Sequence, residues 1–106
     1  MNFYIVFDEF DRDKGIFRGR LTDQRREDVP FSSLSRLLVI MDALMDCPTM
    51  WQVPKREGEK VYPDLCINVL NRVQGAWQGK IAVPGRKREI PFCSVLDLII
   101  KIETTV

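Results

Sequence analysis

A chain that carries one pattern twice is constrained before anything else about it is considered, because two like segments tend to fold into two like units. Here Gly15, Phe17, Gly19, Arg20 and Leu21 recur about sixty positions on as Gly75, Trp77, Gly79, Lys80 and Ile81. After one extra residue, Val29-Pro30-Phe31-Ser32-Ser33-Leu34 recurs as Ile90-Pro91-Phe92-Cys93-Ser94-Val95. The apolar set Leu34, Leu37, Leu38 and Met41 then recurs as Val95, Leu98, Ile99 and Ile102. The spacing divides the chain into a first unit over 1–46, a linker over 47–60 and a second unit over 61–106.

Each unit reads as three strands and a helix. Phe3 to Phe10 alternates, with Phe3, Ile5 and Phe7 on one face and Tyr4, Val6 and Asp8 on the other. Such period-two patterning in β-branched and aromatic residues marks a strand. Asp11 to Gly15 has turn composition, and Ile16 to Asp23 alternates again, Phe17, Gly19 and Leu21 opposite Arg18 and Arg20. Glu27 to Phe31 is a short extended piece whose Pro30 places it at a sheet edge or a strand end. Ser32 or Ser33 then caps a helix reaching about Asp46. The second unit repeats the layout: a strand over 61–71, a turn at Val73-Gln74-Gly75 and a strand over 76–83. A Pro84-Gly85 turn of type II, an extended piece over 86–92 and a helix from Ser94 to about Glu103 follow.

Three strands and one helix form only a marginal core, so the two units are expected to share one. The reading is a single α+β domain over 1–106. It is an internal duplication of a β-β-β-α unit, an antiparallel sheet with both helices packed on one side, related by a pseudo-two-fold axis. One continuous sheet and a half-closed barrel both satisfy the pattern.

Composition narrows function chiefly by exclusion. The chain of 106 residues has no histidine, which removes the commonest general base and metal ligand. Its three cysteines, Cys47, Cys66 and Cys93, form no C-x-x-C, so no metal site and no cofactor are expected. Cys66 and Cys93 stand among apolar neighbours in the sequence and read as small buried hydrophobes. Ser32 and Ser33 lack a nucleophile-elbow context, and no glycine-rich phosphate loop occurs. Asp11-x-Asp13-x-Gly15 lacks the remaining ligands of a calcium loop. No catalytic residue is assigned and no enzyme is expected. The opening Met-Asn-Phe-Tyr-Ile-Val has no basic, then apolar, leader pattern, and no segment has bilayer length. A cytoplasmic protein with no membrane partner is therefore expected.

Two surfaces are candidates for binding. The net charge is only +1, yet basic residues cluster locally. Arg18, Arg20 and Lys80 share the outward strand face, near the turns that hold Arg25, Arg26 and Arg86-Lys87-Arg88. A doubled basic sheet face of this kind suits phosphates, although neither helix is basic and no known nucleic-acid motif occurs. The second candidate is apolar. Val39, Ile40, Leu96 and Ile100 lie outside the core stripe of their helices, and Met50-Trp51 adds an apolar pair in the linker, expected to fold back onto the body. Helices apolar beyond one face bury a second side, against each other or in a homodimer. The aromatic-x-Gly-basic-apolar signatures at Phe17 and Trp77 read as core packing, with a helix crossing over Gly19 and Gly79.

The segment Gly75-Ala76-Trp77-Gln78-Gly79-Lys80-Ile81, followed by Phe92-x-Ser94-x-Leu96-Asp97-Leu98-Ile99, resembles small bacterial proteins of unassigned function. In them a W-Q-G strand precedes an F-x-S-x-L-[DE]-L helix. The likeness covers about forty residues of the second half. The first half has Phe17-Arg18-Gly19 for W-Q-G and Ser35-Arg36 where Leu-Glu is typical. The resemblance implies a fold and a bacterial origin, with no activity or catalytic residue attached.

The functional expectation is a non-enzymatic cytoplasmic module that binds a protein, including a second copy of itself, through the apolar helix surface. Nucleic-acid binding through the basic face is the alternative. A small-molecule sensor with a pocket between the units, near Trp51 and Trp77, is the third.

Overall fold

The computed structural model describes residues 2–23, 26–47, 63–73 and 76–105. Most of the linker, with Met50 and Trp51, lies outside them, as do Arg25, the Gln74-Gly75 turn and the first residues of the strand expected over 61–71.

Among the described residues, six strands and two helices follow in the order β1 (Asn2–Asp11), β2 (Ile16–Asp23), β3 (Arg26–Phe31), α1 (Leu34–Asp46), β4 (Leu65–Val73), β5 (Ala76–Ala82), β6 (Glu89–Phe92) and α2 (Val95–Thr105). The strands form one antiparallel sheet in the order β3-β2-β1-β4-β5-β6. The sheet is continuous because β1 pairs with β4 at its centre, Phe3 opposite Ile67 and Ile5 opposite Leu65. Both edge strands carry a proline, Pro30 in β3 and Pro91 in β6. A proline withholds an N–H, so each edge is a poor template for adding another strand.

The alternation in the strands decides which face is buried. Phe3, Ile5, Phe17, Leu21, Phe31, Leu65, Ile67, Val69, Trp77, Ile81 and Phe92 form one core with Leu37 and Met41 of α1 and Leu98 and Ile102 of α2. Helix α1 lies against β2 and β3, and α2 against β5 and β6. The central four strand residues, Phe3, Ile5, Leu65 and Ile67, are completely buried. At the β1–β2 end, Phe7, Phe10, Phe17 and Phe31 meet edge to face, with centroid separations from 4.9 to 6.5 Å. Such aromatic pairs add to the stabilisation from area alone.

Both helices start as the serines suggest. Ser33 is extended, at φ −161°, and its Oγ accepts from the Arg36 N–H at 3.1 Å. Ser94 Oγ accepts from the Asp97 N–H at 3.0 Å. A cap of this kind contributes about 1 kcal/mol. Asp97 reaches back to accept from the Cys93 N–H at 3.1 Å, and its charge suits the positive end of α2. The Pro84-Gly85 turn closes with Arg86 N–H donating to the Val83 carbonyl at 3.0 Å, and Gly85 has φ +88°, as type II requires.

The glycines in the strands have a different cause from the one expected. Strand β1 bulges between Phe7 and Glu9, and β4 between Val69 and Asn71, each beside a glycine on the neighbouring strand. A Cβ on Gly19 would lie 2.0 Å from the Val6 carbonyl oxygen, and one on Gly79 1.9 Å from that of Asn68. The closest approach therefore comes from the adjacent strand's backbone, not from a crossing helix. Bulges sharpen the local twist and press one strand's carbonyl onto its neighbour.

Some boundaries shift for identifiable reasons. The β4 ladder starts at Leu65, after Asp64 has docked beside β1: its N–H donates to the Ile5 carbonyl at 2.8 Å, and its carboxylate accepts from the Phe7 N–H at 2.9 Å. It runs on to Val73, which pairs with Ala76, where a turn was expected. Arg86 to Arg88 stay outside β6, whose pairing begins at Glu89.

Candidate protein-binding surface

On the outer side of the helix layer, Val39 is 56% exposed, Leu96 68% and Ile100 48%. Leu96 and Ile100 are four residues apart, one turn above the other on the same strip of α2. Ile40, expected beside them, is half-buried and packs against the core. The helical period explains the difference: 37, 40, 41 and 44 fall on one stripe, so Ile40 flanks the core row, while Val39 points away from it.

The basic residues on the sheet's other face are brought together with acids. Arg18 pairs with Glu9 at 3.4 Å, and Lys80 with Glu89 at 3.4 Å. Arg20 is held between Asp8 at 3.2 Å and Asp28 at 3.1 Å. Exposed pairs of this sort add little stability, but they cancel the charge that would draw in a phosphate. Arg86, Lys87 and Arg88 are exposed and make no ion pair among the described residues. They precede edge strand β6, whereas Arg26 opens the opposite edge strand β3; its side chain lies outside the described residues. Five strand spacings, roughly 24 Å, separate the two edges. Arg86, Lys87 and Arg88 thus stand at the sheet edge opposite the one that Arg26 opens, and Arg25 lies outside the described residues.

Three features were not legible beforehand. Arg72, at the end of β4, donates to Asp42 at 2.7 Å and to Asp46 on α1, tying the second half's sheet to the first half's helix. The carboxylates, Asp46 foremost, hold its guanidinium above the usual range. The partners are 30 and 26 residues away, and no local pattern marks such a pair. The second feature is a cleft of about 210 Å³ on the face away from the helices, lined by Asn2, Cys66, Asn68, Leu70, Lys80, Ala82 and Glu89. Trp77 does not line it: that side chain is buried under the helix layer. The pocket expected between Trp51 and Trp77 falls at Trp51, outside the described residues.

The third concerns the thiols. Cys93 is exposed, not buried, because the alternation that turns Phe92 inward turns its neighbour out. Cys47 is exposed too, and Cys66 is half-buried. Burial pushes the Cys66 thiol above its ordinary range, since the thiolate loses solvation. Iodoacetamide at neutral pH is therefore expected to label Cys47 and Cys93 well before Cys66, read by peptide mass mapping over time. Because the folded thiol holds its proton more tightly than the unfolded one, Cys66 also lowers stability as pH rises through and above the ordinary thiol range.

No three His, Cys, Asp or Glu side chains are placed to hold a metal ion among the described residues, and no helix among them is long and apolar enough to cross a membrane. No protein-family model, curated protein or solved structure matches the chain.

Proposed function

We propose that this chain is a non-enzymatic binding module that associates with a protein, foremost a second copy of itself, through the outer face of its two helices. The observation that carries this is the exposed apolar set Val39, Leu96 and Ile100 on a layer whose other side is fully committed to the core. Both sheet edges are blunted by proline, and the basic residues of the open face are largely neutralised. Tyr4, Leu70 and Val73 are exposed on the strands, but Leu96 and Ile100 stand one turn apart on one helix strip, which favours the helix layer as the surface for a partner.

The reading rests on an internal duplication with a pseudo-two-fold axis between β1 and β4. Paired details support it: bulges facing Gly19 and Gly79, serine caps on both helices, and Arg20–Asp28 set across β2 and β3 as Lys80–Glu89 is across β5 and β6. By that correspondence Val39 and Ile100 are one position, apolar and exposed in both halves. Kinship with the small bacterial proteins that carry the W-Q-G strand, and a cytoplasmic setting, belong to the same proposal.

Nucleic-acid binding is the second reading, favoured by the exposed Arg86-Lys87-Arg88 loop. Light scattering at low and moderate salt, with and without a mixed oligonucleotide pool, separates the two. The helix-layer reading expects a dimer mass that salt and nucleic acid leave unchanged. A monomer that gains mass only with oligonucleotide, and only at low salt, contradicts it.

A further inference from the structure

The cleft on the open sheet face is set apart by what its lining residues leave unused. Three of them lie in one row across adjacent strands, Asn2 opposite Asn68 and Asn68 opposite Lys80. A second row holds Cys66 opposite Ala82 and Ala82 opposite Glu89. The first row offers two carboxamides and an ammonium side by side, spaced about 4.8 Å apart by the strands. Neither the Asn2 nor the Asn68 side chain makes a hydrogen bond among the described residues. The second row has small side chains, and Leu70 adds an apolar wall.

The other half of the sheet builds the matching rows from different residues. Tyr4 faces Thr22, and Val6 faces Arg20, which faces Pro30. There bulk replaces Cys66 and Ala82, valine replaces the amide, and the cation is gripped on two sides by Asp8 and Asp28. Among the described residues Lys80 pairs only with Glu89, at 3.4 Å, and the two side chains are 51% and 59% exposed. An ion pair that open to solvent is worth little and separates at small cost. A ligand bearing both charges exchanges that one pair for two.

We propose that this cleft is a binding site for a small zwitterion, an α-amino acid with a short apolar side chain. Its carboxylate sits on Lys80 and the amides of Asn2 and Asn68, and its ammonium on Glu89. The apolar group lies against Cys66, Ala82 and Leu70. Lys80 and Glu89 sum to no net charge, which a ligand of no net charge leaves balanced. About 210 Å³ is room enough for a ligand of this size. The site lies on the face opposite the helix layer and does not depend on self-association.

The test is a titration of the 15N-labelled chain with L-alanine, followed by two-dimensional NMR, with acetate and methylammonium as separate probes. L-Alanine is expected to give saturable shifts at the Asn2 and Asn68 side-chain amides and at Cys66 and Ala82. Acetate and methylammonium are each expected to bind more weakly by about tenfold or more, as are Lys80→Ala and Glu89→Gln toward L-alanine. Both residues are exposed, so an unchanged spectrum elsewhere shows that each variant is folded. Shifts that do not saturate, acetate binding as tightly as L-alanine, or a wild-type response from Lys80→Ala would each overturn the proposal.

Discussion

Replacing Gly79 with alanine is expected to leave the chain largely unfolded. The added Cβ would stand 1.9 Å from the Asn68 carbonyl oxygen and 2.8 Å from the Phe92 ring edge. A ring can turn aside, but the carbonyl belongs to the β4–β5 ladder and moves only if the bulge between Val69 and Asn71 is undone. Losses at such positions exceed those of ordinary overpacking, and about 4 kcal/mol or more is expected. That is comparable with the whole stability of a small domain. Gly19→Ala meets the Val6 carbonyl at 2.0 Å and should behave alike. Thermal unfolding by circular dichroism checks both. A melting temperature within a few degrees of wild type would mean that the strands relax around the new atom.

Leu98→Ala is expected to cost about 2–5 kcal/mol, whereas Leu96→Ala, two residues away on the same helix, should change monomer stability by about 0.5 kcal/mol or less. Leu98 has no exposed surface and joins the central core, so its deletion leaves a cavity. Leu96 points into solvent and leaves none. The helix propensities of the two changes are alike, so their difference isolates burial. Urea unfolding at low protein concentration measures it, with an unchanged m-value showing that the unfolded state is common to both. Equal losses would place the helix in a different rotation about its axis.

Much of this architecture is written locally. Alternation through Phe3, Ile5, Phe17 and Leu21 gives the buried face; Pro30 marks a sheet edge or a strand end, Ser32 or Ser33 a helix start, and Pro84-Gly85 a turn. Each depends on a residue's own backbone preferences or on its nearest neighbours. What was misread depends on pairing between distant segments. The purpose of Gly19 and Gly79 emerges only once β1 and β4 are in register with their neighbours and bulge toward them. The same holds for the tie from Arg72 to Asp42 and Asp46, and for the meeting of Asn2, Asn68 and Lys80 on one row. Cys93 was misread on a different ground: apolar neighbours in sequence do not bury a residue whose side chain alternates outward. The surface was the least legible part. That Asp28 and Glu89 neutralise part of the basic face is legible in the chain, but which cation each one pairs with, and the share of Glu9 and Asp8, required the fold.

Sedimentation velocity of two single variants tests the central claim, that the helix layer is the binding surface, most directly. Ile100→Asp places a charge in the exposed helix strip, and Leu70→Asp places one at an equally accessible apolar position on the opposite face of the sheet. Neither position is part of the buried core, so both variants should fold. Wild type and Leu70→Asp are expected to sediment as dimers over the same concentration range, and Ile100→Asp as a monomer. A dimer that survives Ile100→Asp and is lost in Leu70→Asp would contradict the account and move the interface to the open sheet.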